Sequence, residues 1–149
     1  MLEYEEQSLT VKDRAKLKLK RDLGSLIENA LNDPKTIEVM RNADGRLWQE
    51  RLGEQMEYIG HVSDNRAESI IKTVAGFHGK EVTRSMPVLE GELPLDGSRF
   101  SGQLPPVVSS PTFAIRKKAI SVFTLDDYVR THVMTEKQCN EIKYAIATH

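Results

Sequence analysis

The stretch RFSGQLPPVVSSPTFAIRKK, Arg99 to Lys118, reads as two β-strands joined by a Pro/Ser loop. In the first strand Phe100 and Leu104 fall on one face while Arg99 and Gln103 fall on the other; in the second, Phe113 and Ile115 alternate with Ala114 and Arg116. The segment between them, PPVVSSP, is a loop, because successive prolines lack the N–H groups that a central ladder requires. Each strand carries an arginine near an aromatic residue. A guanidinium is a planar fork that meets phosphate oxygens two at a time, so two forks on neighbouring strands can converge on one polyphosphate. Two arginines on a solvated strand face would have the same spacing, and the spacing alone leaves both readings open.

Upstream, PVLEGEL and SRFSGQL are a strand pair about the turn PLDG. Before them, Ala67, Ile70, Ile71, Val74 and Ala75 form a helical stripe, with Ser63 or Asp64 as its cap and Gly76 and Gly79 at its end. Further upstream, TIEVMRNADGRLWQERLGEQMEYIGHVS reads as a hairpin about Asp44-Gly45 and a short third strand containing Met56 and Tyr58. Trp48 in the second of these strands is expected to pack in the core. From Leu9 to Asn32 the period is helical, with Leu19, Leu23, Leu26, Ile27, Ala30 and Leu31 on one face and Asn32-Asp33-Pro34 as the stop. The front of that helix, KDRAKLKLKR, is a basic run from Lys12 to Arg21. Its simplest reading is a solvated face; the sharper one is a patch for acidic lipid, nucleic acid or an acidic partner.

Downstream, Thr124 with Asp127 and Thr135 with Gln138 are two successive capping boxes. Phe123 with Tyr128 and Met134 with Cys139 stand where hydrophobic staples close those turns. Cys139 shares a helix face with Ile142 and Ile146, which favours a buried structural thiol over a reactive one.

The sum is an α+β protein with an antiparallel sheet and helices packed on it. Its expected segments are 1–34, a basic amphipathic helix; 35–120, the α+β domain; and 121–149, linker helices. With 149 residues, 21 Lys and Arg against 22 Asp and Glu, and one cysteine, the chain has no whole-molecule field to draw it to nucleic acid and no disulfide framework. The acidic start MLEYEEQS and the lack of any run of about 18 apolar residues point to a cytoplasmic, soluble chain.

Chemistry of its own is hard to find. GFHGKE, Gly76 to Glu81, departs from a P-loop, with Val74 where the first glycine belongs and Glu81 where Ser or Thr must meet magnesium. His61, His78, His132 and His149 form no metal-type pair, Ser109 and Ser110 lie in no nucleophile elbow, and Asp126-Asp127 suit a helix N-terminus. No catalytic and no metal-ligating set is assigned to this chain.

Three runs in order, RLWQERLG, AESIIKTVAGFHGK and SRFSGQLPPVVSSPTFAIRKKAISVFTLDDYV, resemble the amino-terminal domain of the TrbB-type conjugal transfer ATPases, relatives of the VirB-type secretion traffic ATPases. The likeness runs from Lys35 to His149. It implies a PAS-like, sensor-like α+β domain, a linker and a RecA-like motor domain with the P-loop. It further implies a hexameric ring, peripheral at the cytoplasmic face of the inner membrane, that powers DNA transfer through a type IV secretion apparatus. ATP, with magnesium in the longer protein, would lie between the two domains. On that pattern Arg116 is the first expected phosphate contact and Arg99 the second. The sequence carries no Walker motif, so a truncated chain without hydrolysis of its own is expected. The expected partners are copies of itself, the conjugation apparatus and the inner membrane surface, with direct DNA contact left open. The rival expectations are a stand-alone PAS-like interaction module and a nucleic-acid adaptor using Lys12 to Arg21.

Overall fold

A computed structural model describes residues 9–119 and 122–148, which fall into two compact units, one up to Lys118 and one from Ala119 onward. The first unit holds α1 (Val11–Asn32), β1 (Thr36–Arg41), β2 (Arg46–Arg51), β3 (Glu57–His61), α2 (Asp64–Phe77), β4 (Val88–Glu92), β5 (Arg99–Gln103) and β6 (Thr112–Arg116). The strands form one six-stranded sheet in the order β3-β2-β1-β6-β5-β4, with every neighbouring pair antiparallel. The expected α+β class and all six expected strands are present.

Alternation along the strands decides which face the helices cover. Val39, Leu47, Leu89, Phe100, Phe113 and Ile115 turn one way and are buried against Leu19, Leu23 and Ile27 of α1 and Ala67, Ile70, Ile71 and Val74 of α2. Phe100 stacks on Phe113 with ring centroids 5.9 Å apart. Burial of an Ile or Leu side chain of this kind contributes about 1.5–3 kcal/mol, so this single layer between helices and sheet holds the unit together. Inside it, Gln49 donates to the Thr36 hydroxyl at 2.7 Å, and Thr36 donates to the Ala30 carbonyl at 2.6 Å. That chain of bonds satisfies two polar side chains that would otherwise be costly there.

Trp48 does not join that core. The Asn42–Gly45 turn sets the register so that Trp48 pairs with Met40 on one side and Tyr58 on the other. All three stand on the face opposite the helices, because Leu47 and Gln49 take the inward positions. Trp48 is half-buried there, edge-on to Tyr58 at 5.7 Å. A β-bulge between Thr36 and Glu38 likewise makes Thr36 the inward residue of that end of β1 and leaves Ile37 only half-buried.

Helix α1 is interrupted at Gly24, whose φ of +70° is non-helical. The break frees carbonyls, and Arg66 of α2 fills the gap: its Nε donates to the Asp22 carbonyl and its Nη2 to the Leu23 carbonyl at 2.8 Å. The guanidinium occupies the space a Cβ on residue 24 would need.

The second unit contains α3 (Leu125–Arg130) and α4 (Glu136–Ala147). Both expected capping boxes are formed, Thr124 with Asp127 and Thr135 with Gln138. The Phe123 and Tyr128 rings lie 6.2 Å apart across the first turn. Cys139 is buried, as expected of a structural thiol, whereas Ile142 and Ile146 on its face are exposed. Among the described residues no helix is long and apolar enough to cross a membrane.

Candidate functional site

Arg99 and Arg116 are cross-strand partners on β5 and β6, directly opposite each other on the sheet face that the helices leave open. The same register row continues in both directions: Glu92 of β4 opposes Arg99, Glu38 of β1 opposes Arg116, and Glu50 of β2 opposes Glu38. A row Glu50–Glu38–Arg116–Arg99–Glu92 therefore crosses five strands. Like charges directly opposite destabilise a strand pair, so the Arg99–Arg116 rung runs against local stability. Such conflicts are where a functional explanation is worth seeking.

Around the rung lies an open concavity of about 670 Å³ lined by Glu90, Gly91, Glu92, Gly97, Arg99, Arg116, Lys117 and Lys118. The lysines follow from the two-residue period of β6. Lys118 is two residues on from Arg116, and its ammonium lies over Gly97, about 3.0 Å from where a Cβ would stand. Gly97, with φ of +73°, is the residue of the 93–97 turn that lets the lysine approach. Lys117 is turned away, its ammonium donating to the Leu31 carbonyl at the end of α1 at 2.5 Å. Sequence reasoning named the two arginines and missed Lys118, although the period that placed Arg116 outward places Lys118 outward too.

The arginines differ in their present contacts. Arg116 donates from Nη2 to a Glu38 carboxylate oxygen at 3.1 Å. Arg99 makes no ion pair among the described residues and is exposed. Glu90 is engaged by the Ser101 hydroxyl, which donates to it at 2.7 Å. The face thus presents guanidinium and ammonium donors suited to phosphate oxygens. It supplies no set of carboxylates or imidazoles for a metal ion; among the described residues no group of three or more such side chains converges.

The basic run of α1 has a different fate. Lys18 donates to Asp22 at 2.7 Å, Ser69 at 2.6 Å and Thr73 at 3.0 Å, forming a polar seam between α1 and α2. Burial opposes the charge on Asp22, but the hydrogen bonds from Lys18 and Ser69 outweigh it and hold the carboxyl below its ordinary range. Lys12 and Lys16 lie over the Phe77 ring, 5.8 and 5.9 Å from its centre. Three of the run's cations are therefore used within the fold.

A further arginine went unnoticed in the sequence. Arg41 is buried and donates from Nε and Nη2 to the Val62 carbonyl at 3.1 and 2.7 Å, from Nη2 to Asp64 at 2.6 Å, and from Nη1 to the Pro111 carbonyl. Asp64 also accepts from Ser110 at 2.6 Å, and the Ser110 and Arg41 bonds together lower its pKa. Ser63 is left to cap α2, accepting from the Arg66 amide at 3.3 Å. Arg41 ties the loop before β6 to the start of α2 and so fixes the strand that carries Arg116.

No family model matches the chain. Among curated proteins it is 46% identical over 129 residues to a probable conjugal transfer protein TrbB of Sinorhizobium fredii, a match covering 87% of this chain and 40% of that protein. It is 44% identical over 129 residues to the conjugal transfer protein TrbB of Rhizobium radiobacter, with the same coverage. The chain thus spans about two fifths of the length of these relatives. Among solved structures, the VirB11 ATPase of the Brucella suis type IV secretion system, crystallised with sulphate, superimposes with a TM-score of 0.65 at 24% identity, over 80% of this chain and 37% of that one. The chain is a homologue of the TrbB conjugal transfer proteins over most of its length and shares its fold with a region of the VirB11 ATPase.

Proposed function

We propose that this homologue of the TrbB proteins supplies the phosphate-contacting face of a nucleotide site completed by a motor domain. The whole would be a hexameric ring whose work is to power conjugal DNA transfer through a type IV secretion apparatus at the cytoplasmic side of the inner membrane. The observation that carries this reading is the Arg99–Arg116 rung, two outward guanidiniums held side by side by strand register beside Lys118. ATP is the ligand, and Arg116, Arg99 and Lys118 would hold its phosphate oxygens. Its magnesium would need ligands from outside this face.

The mechanism is conformational. A phosphate shared by Arg116 and a P-loop clamps two domains, and its loss releases the linker from Ala119 to Thr124, part of which lies outside the described residues. The other expected partners, further copies of the chain, the secretion apparatus and the membrane surface, belong to the same proposal.

In a protein joining this domain to its motor, Arg116→Ala is expected to lower ATP turnover about tenfold to hundredfold, the worth of a charge-assisted bond to phosphate. The domain should stay folded, because the side chain is 63% exposed. Undiminished turnover removes Arg116 from the mechanism.

A further inference from the structure

The two arginines of the rung are not equally available, and the difference lies in one carboxylate. Glu38 is the more buried partner: its side chain is only 13% exposed and it stands in register beside Arg116. Arg116 is the exposed partner of the pair, 63% exposed and held through one guanidinium nitrogen. The long, exposed arginine has solvent to turn into, whereas the shorter carboxylate is packed on the sheet. Arg99 has the register-equivalent neighbour Glu92, yet forms no ion pair with it.

We propose that Glu38 is a built-in competitor for the anion site: its carboxylate occupies the Arg116 fork that a phosphate group would take, and so holds the site partly closed until phosphate displaces it. This rests on the reading of the rung as a phosphate site. A carboxylate on the sheet competes without loss of translational freedom, so it need not bind strongly to matter. Only the fraction of molecules with Arg116 released is competent, and the apparent affinity falls by that fraction. Release also leaves Glu38 negatively charged beside the bound anion, which adds repulsion. Occupancy of the site by phosphate therefore carries a second signal, a half-buried Glu38 that has lost its donor.

The test is a calorimetric titration of the full 149-residue chain with pyrophosphate at fixed ionic strength, comparing wild type, Glu38→Gln and Glu50→Gln. A half-exposed ion pair of this kind weakens phosphate binding by a factor of a few, and the removed repulsion adds a similar factor. Glu38→Gln is expected to bind pyrophosphate about threefold to tenfold more tightly. Glu50→Gln, which removes the same charge one strand further from Arg116, is expected to bind within about twofold of wild type. Equal or weaker binding by Glu38→Gln overturns the proposal, making Glu38 idle or a positioning group. Equal tightening by both variants also overturns it, because only net charge would matter. If wild type and both variants fail to bind pyrophosphate, the phosphate reading of the rung itself fails. Should Glu38→Gln not fold, Glu38→Asp, which keeps the charge but draws it back from Arg116, is expected to bind more tightly than wild type; unchanged binding overturns the proposal.

Discussion

Replacing Arg41 with methionine tests whether a buried guanidinium is a structural tie or a burden. Methionine keeps most of the stem and leaves little cavity, so the variant isolates the loss of the donors. Two main-chain acceptors lose their charged partner, the Val62 and Pro111 carbonyls, and both residues are buried. Each orphaned buried carbonyl costs about 1–3 kcal/mol. Asp64 adds little to the loss, because its side chain is 65% exposed and keeps the Ser110 hydroxyl. Against this stands the desolvation of the guanidinium, which can make an apolar replacement neutral or stabilising. Here the acceptors are main-chain groups that stay buried whatever stands at position 41, so their loss should dominate, and the expected destabilisation is about 3 kcal/mol. The assay is urea unfolding followed by fluorescence of Trp48, the sole tryptophan. With an m-value of about 2 kcal/mol/M the midpoint falls by about 1.5 M. A midpoint within about 0.3 M of wild type, or above it, refutes the reasoning.

Gly24→Ala meets both a φ of +70° and the Arg66 guanidinium, and should cost at least about 2 kcal/mol in the same assay. Gly53→Ala, at φ +76° with nothing within 4 Å, should cost only the backbone part. Against the burial that opposes its charge, the hydrogen bonds from Lys18 and Ser69 hold the folded pKa of Asp22 below the ordinary value of 3.8. Its contribution is therefore fully present above that pH and lost as pH falls through the lower folded value. The melting temperatures of wild type and Asp22→Asn should differ at pH 6 and converge only as pH falls through the lowered folded value, read by thermal scans at stepped pH. Thr135→Ala removes the cap that accepts from the Gln138 amide, and should weaken α4 by about 1 kcal/mol. Amide exchange should speed up in α4 while protection in α2 stays unchanged.

Much of the fold is legible in the sequence because the signals are local. Alternation in TFAIRKK, the Asp44-Gly45 turn and the Thr-x-x-Asp and Thr-x-x-Gln caps each lie within a few residues, and each element formed where its pattern stands. What escaped depends on register or on chain return. Trp48 reads as core by its size, yet a hairpin register that turns Leu47 inward must turn its neighbour outward. Arg41 drew no notice in the sequence, because its partners Val62, Asp64 and Pro111 are assembled only by the folded chain. Gly24 sits inside a helical period whose break is visible only with Arg66 in place.

The candidate site divides the same way. That Arg99 and Arg116 share a face follows from the period of two, and that they oppose each other follows from the closure of their hairpin. Glu38 comes from β1, on the far side of β6, and no spacing in the sequence announces it. Ordering of the sheet, with β1 at its centre beside β6, is a tertiary outcome that no local spacing encodes.

The central claim is that the Arg99–Arg116 rung binds phosphate, and its most direct test is an amide-resolved NMR titration of the chain with pyrophosphate. The account predicts saturable shifts confined to residues 90–92, 97–99 and 114–118, abolished in the Arg99→Ala, Arg116→Ala double variant. Shifts centred on Lys12 to Arg21, or shifts that survive the double variant, would contradict it.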